Sequence, residues 1–136
     1  MSQGANLFGI LSTNSGCAPF IGSGPSARIF AEALPQGGDP TTCVPAFVFN
    51  VIAGRPENVI DAPAVADYEL LQLDSWAMDA DTAQSMMEAA RTALDDIDAM
   101  IARDIGVKVV AFYPSGFELE TRRFKRSIGV AIWSQR

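Results

Sequence analysis

The chain predicts an α+β fold: a mainly antiparallel sheet of about four strands, helices packed on one face, and a long C-terminal hairpin. Three observations carry this. Residues 44–53 and 67–76 read as strands whose successive side chains point to opposite faces. Residues 81–101 repeat apolar positions every three or four, as a helix does. The last third reads as two strands, with helices grouped along the chain instead of regularly alternating with strands. At 136 residues the chain suits one domain, 1–136, with a small core.

The elements follow in order. Leu7, Ile10 and Leu11 have helical spacing within Asn6–Asn14, and Ser15-Gly16 can end that helix. Pro19 and the Gly22–Ser26 stretch then oppose regular structure for several residues. Ala27-Arg28-Ile29-Phe30 is a short strand candidate, and Pro35–Pro40 a loop. In Val44–Ala53, Phe47, Phe49 and Val51 point one way and Val48, Asn50 and Ile52 the other; Pro45 sits at the start, where a missing amide hydrogen is tolerated. Gly54–Ala66, with Pro56 and Pro63, reads as a long connection, either an ordered reach to a partner or a mobile flap. Asp67–Trp76 is the next strand, with Leu71 and Leu73 on one face and Leu70, Gln72, Asp74 and Trp76 on the other.

A helix follows, with Asp81 as its expected N-cap and Thr82 opening the turn. Ala83, Met86, Met87, Ala90, Leu94, Ile97 and Ile101 form its apolar stripe, the methionines serving as core filler. Asp95, Asp96 and Asp98 are unfavourable near a helix C-terminus. Either the helix runs on to Arg103 or it breaks near Asp96, and the acids favour a break. Val107–Tyr113, a turn at Pro114-Ser115-Gly116, and Phe117–Trp133 complete the chain as a hairpin.

Charge is polarised. Net charge is −6, yet all 16 acids and five cations fall in residues 1–121, and the other five cations lie alone in 122–136. Arg122, Arg123, Lys125 and Arg126 crowd one strand. Alternation puts Arg122, Phe124 and Arg126 on one face and Arg123 and Lys125 on the other. Cations on both faces cannot all lie against one core, so this stretch is expected in solvent, at a contact between subunits, or toward a lumen. An acidic body could attract the basic strand of another copy; neutralisation by Glu118 and Glu120 of the same chain is the plainer alternative. Sequence-specific nucleic-acid binding is disfavoured, since Phe124 is the one interleaved aromatic; passive contact with DNA in a channel is the modest version.

The chemistry looks sparse. With no histidine, the usual general base, the Ser/His/Asp arrangement and the commonest zinc ligand are missing. Lys108 is the one lysine besides Lys125. Asp79-Ala80-Asp81 reads as cap and loop, and Asp95–Asp98 lacks the glycine and glutamate of a calcium loop. Gly22-Ser23-Gly24-Pro25 has no lysine or helix after it to cradle phosphate. No catalytic residue, metal or cofactor is expected; a small carboxylate-dependent enzyme using Asp74, Asp79 or Asp81 is the distant alternative. Cys17 and Cys43 form no paired motif, so buried reduced thiols and cytosolic synthesis are expected. The N-terminus lacks the basic flank of a signal peptide, and no apolar run suits a membrane span.

In this order the pieces resemble the small phage tail-terminator family, also called tail completion proteins, a gp17-like group once described as a domain of unknown function. Ala27-Arg28-Ile29-Phe30 leading to Leu34-Pro35-Gln36 is similar to its "RIY…LPQ" stretch, and Val44–Phe49 to its "LPAVVY" strand. Leu71–Ala77 followed by Asp81–Leu94 resembles its "VQVDCWA" strand and alanine-rich helix; Ile132-Trp133 matches its terminal strand. The order of these pieces over roughly residues 5–134 carries the resemblance. Gly22–Ser26 and the extended Ile97–Gly106 depart from the pattern. The resemblance implies a structural virion protein of the tail or neck, assembled in the host cytoplasm. It implies a hexameric ring that caps the tail tube, stops its polymerisation and offers a surface to the head connector in head–tail joining. The implied partners are copies of itself, the tube protein and a connector or head-closure protein, with no membrane and no catalytic residues. Another neck or tail component, a head-closure protein or a tube subunit, is the related alternative.

Overall fold

Alternating apolar residues in two neighbouring stretches set the centre of the molecule. In the computed structural model, which describes residues 3–32, 44–59, 62–118 and 123–135, these stretches become β2 (Ala46–Val59) and β3 (Ala62–Ala77). They follow α1 (Gly4–Thr13), the single turn α2 (Ala18–Ile21), a 3-10 turn at Gly24–Ser26 and β1 (Ile29–Ala31). After them come α3 (Ala80–Leu94), α4 (Ile97–Arg103), β4 (Ile105–Glu118) and β5 (Arg123–Gln135). The sheet has five strands in the order β1-β2-β3-β5-β4. Every pairing is antiparallel except the short β1 against β2, so the sheet is mixed.

The alternation works as expected. Phe47, Leu71, Leu73, Ile128, Val130 and Ile132 are wholly or almost wholly buried on the face that receives the helices. Burying each such side chain contributes about 1.5–3 kcal/mol. The α3 stripe of Ala83, Met86, Met87, Ala90 and Leu94 packs there with Leu7, Ile10 and Leu11 of α1. Cys17 joins this core as a free thiol, and burial pushes its pKa up to about 11. Cys43 lies outside the described residues. The opposite face carries a smaller cluster, Val44, Ala46 and Val48, with Phe30 and Trp76 against it.

Several expectations change. The presumed connection 54–66 is paired backbone: Gly54↔Glu69 through Val59↔Ala62 extend β2 and β3 into one long hairpin. Prolines fit because β1 ends opposite Phe49 and the β5 ladder begins at Ala66, so among the described residues Pro56 and Pro63 lie where each strand lacks a partner on one flank. The expected turn at Pro114–Gly116 is a ladder irregularity in the outer strand, and pairing resumes through Gly116↔Lys125 to Glu118↔Arg123. Proline is accepted at such a bulge because no ladder hydrogen bond needs its amide. Pro19 is tolerated in the first turn of α2, where the proline ring suits a helix start.

The helical region breaks where its acids favoured a break. Asp95 ends α3, and Asp96 Oδ1 accepts from the backbone N–H of Asp98 (3.0 Å) and Ala99 (3.4 Å) to start α4. The apolar stripe ends there too: Ile97 and Ile101, expected inside, are 68% and 71% exposed. The N-cap of α3 is Asp79, not Asp81, because Asp79 has the extended backbone that a cap requires. Asp81 sits in the first turn, where its charge complements the helix dipole.

Urea unfolding should separate the two classes of apolar residue. Leu73→Ala is expected to cost about 2–5 kcal/mol, and Ile101→Ala no more than about 0.5 kcal/mol. Equal costs would contradict this core. A second check concerns Gly106, opposite Trp133 across the β4–β5 ladder. A Cβ there would lie 2.1 Å from Trp133 Cε2. Gly106→Ala should push the indole toward water and red-shift tryptophan emission with circular dichroism retained; unchanged emission contradicts the packing.

Candidate assembly surface

The cations singled out in the sequence divide by depth. Arg122 lies outside the described residues. Arg123 opens β5 and is 8% exposed, and its Nε has no hydrogen-bond partner among the described residues. Lys125 lies opposite Trp76 in the β3–β5 register, with Nζ 5.6 Å from the ring centroid. A partly exposed cation–π contact of this kind contributes about 0.5–1 kcal/mol. Arg126 takes the other face, opposite Ser75, and both it and Lys125 are half-buried. Alternation therefore splits the run between two faces.

Beside them is a cleft of about 240 Å³ lined by Ala80, Ser115, Gly116, Phe117, Phe124, Lys125 and Arg126. Phe117 and Phe124 touch across the hairpin, ring centroids 4.7 Å apart and planes tilted by 46°. Phe117 is 49% exposed, so an aromatic floor meets solvent in a cleft lined by Lys125 and Arg126, with Arg126 on the face that Phe124 shares. The cleft forms because β4 continues past Pro114 and pairs with the start of β5 beside the first residue of α3.

The candidate carboxylates are not brought together. Asp74 is buried on the helix-free face, where its Oδ1 accepts from Ser127 Oγ (2.5 Å) and Gln72 Nε2 (3.0 Å). Asp79 and Asp81 are exposed at the start of α3, on the helix-covered side. The Thr82 hydroxyl and backbone N–H hold the Asp79 carboxyl below the usual range, by bonds of 2.7 Å and 2.8 Å. A general acid needs the opposite shift. Among the described residues no three His, Cys, Asp or Glu side chains gather as a metal site, and no helix is long and apolar enough to cross a membrane.

Two structural polar residues were not foreseen from sequence. Gln3 is buried; its side chain donates to Ser134 Oγ (2.8 Å) and accepts from Asn6 Nδ2 (2.6 Å), while its backbone N–H donates to the Glu69 carboxylate. Arg28 donates from Nε to the Pro45 carbonyl (2.8 Å) and from Nη2 to the Phe20 carbonyl (2.5 Å), clamping the loop before β1 to the start of β2. Partners so distant in sequence leave no local pattern to read.

The fold is a small α+β scaffold with an aromatic cleft at one end of its outer strand. The family model described as "Tail completion protein gp17" matches residues 5–116, and the chain belongs to this family of structural phage tail proteins. A chain in a solved structure titled "Virion of native gene transfer agent (GTA) particle" has the same fold: TM-score 0.64 at 10% identity, covering 97% of this chain and 93% of that one. No curated protein matches by sequence.

The Asp79 cap gives a pH prediction. Its folded pKa is depressed, so its stabilisation is present at neutral pH, above the unfolded value, and is lost as pH falls through the lowered folded value. Asp79→Ala should lower the melting temperature at pH 7, and the gap should close as pH falls below the ordinary carboxylate range. A gap independent of pH would contradict the cap.

Proposed function

We propose that this tail component acts as a tail terminator. Six copies form a ring that caps the tail tube, stops tube subunits from adding, and offers its outer side to the head connector or head-closure protein at the neck. Family membership across residues 5–116 carries the reading. The sheet supports it: among the described residues β4 is the outer strand on one margin, and three-residue β1 leaves most of fourteen-residue β2 without a partner on the other. Backbone groups at strand edges can pair between copies, and closing a ring leaves none at its ends.

Termination of this kind needs no bond chemistry. A cap works if one side of the ring copies the surface that a tube subunit offers and the other side does not. The long β2–β3 hairpin provides a projecting element for contact with the tube or the connector. Lys125 and Arg126 face a neighbouring subunit or the lumen, where DNA would pass without sequence recognition.

Negative-stain imaging of tail tubes grown with the purified chain tests this. The expected result is ring-shaped density at one tube end and arrested growth. Tubes that lengthen unchecked and carry no added density would remove the proposal. Long cylinders formed by the chain alone would instead mark a tube subunit.

A further inference from the structure

The two ends of β4 carry unlike, matching surfaces. We propose that they dock head-to-tail between copies, the exposed ridge of α4 on one copy seating in the Phe117–Phe124 cleft of the next. This rests on the ring reading and names its subunit contact.

The ridge is Ile97 and Ile101, one helical turn apart and both about 70% exposed, while Met100 on the inner side of α4 packs against the core. Exposed Asp95, Asp98 and Asp104 flank it. Nearby cations are turned elsewhere: Arg91 lies 4.9 Å from the Phe112 ring centroid, and the Arg103 guanidinium lies against Gly9 of α1. The ridge is therefore apolar with an acidic border. The cleft is its counterpart: Lys125 and Arg126 line it, and Arg126 lies on the same face as the aromatic floor. Asp81 and Glu118 also stand nearby, but Lys125 and Arg126 line the wall itself.

Distance forbids a single chain from satisfying both surfaces. Residue 105, where β4 begins, follows α4 directly, and Phe117 lies about 35 Å further along that strand. A ridge that fits a cleft on the far end of the same fold makes a heterologous contact, which produces closed rings when the rotation between copies closes. Apolar surface supplies the attraction; the opposite charges fix its direction, since ridge-to-ridge and cleft-to-cleft pairings repel.

The test uses two full-length variants with circular dichroism as a folding control. Ile97→Asp with Ile101→Asp disables the ridge; Lys125→Glu with Arg126→Glu disables the cleft. Light scattering, with tail tubes present and absent, should show each variant associating at least about tenfold more weakly than the parent chain. Mixed in equal amounts, they should form one-to-one pairs and stop, because each still offers one intact surface. Combining Asp95→Lys and Asp98→Lys with Lys125→Glu and Arg126→Glu should restore assembly. Variants that close rings as readily as the parent, or a mixture that stays monomeric, would overturn the contact and leave the ring standing. A parent chain monomeric both alone and with tubes would overturn the ring and the contact together.

Discussion

Strand β3 is the member on which the rest of the structure depends. It pairs with β2 along one flank and with β5 along the other, and its side chains serve both faces of the sheet. Leu71, Leu73 and Ala77 are wholly buried beneath the helices, while Asp74 and Trp76 support the opposite face. A slip of one residue would exchange those two sets, burying a carboxylate under α3 and exposing the leucines. Register therefore determines where the helices sit, and with them the cleft beside Ala80 and the ridge of α4.

Helices cover one face of the sheet, and this leaves its margins available. Met100 packs against the core, so α4 is anchored inward there while Ile97 and Ile101 face outward. At the other end of β4 the strand outlasts the apolar core and carries Phe117 to the surface. Exposed apolar side chains at both ends of an outer strand suit a molecule whose work is contact with copies and neighbours.

The parts legible in the sequence were those set by local periodicity. Alternation around Phe47–Phe49 and Leu71–Leu73 assigned faces correctly, and the crowding of Asp95, Asp96 and Asp98 marked the helix break. Boundaries that depend on neighbours were harder. Pro56 and Pro114 read as loop signals because sequence does not show which strand flanks lack a partner. Ile97 and Ile101 read as core because the break near Asp96 reorients everything after it. The basic run was visible as charge, but its division into buried Arg123 and cleft-lining Lys125 and Arg126 depends on register with β3 and β4. The cleft joins residues from three separate elements, and no local spacing announces that.

The central claim is that this protein works by capping a polymer as an oligomer. Imaging particles assembled in a host from which this one chain has been removed tests it most directly. The account predicts tails of irregular length left unjoined to heads, with normal particles restored by supplying the chain. Tails of normal length joined to heads in its absence would contradict it.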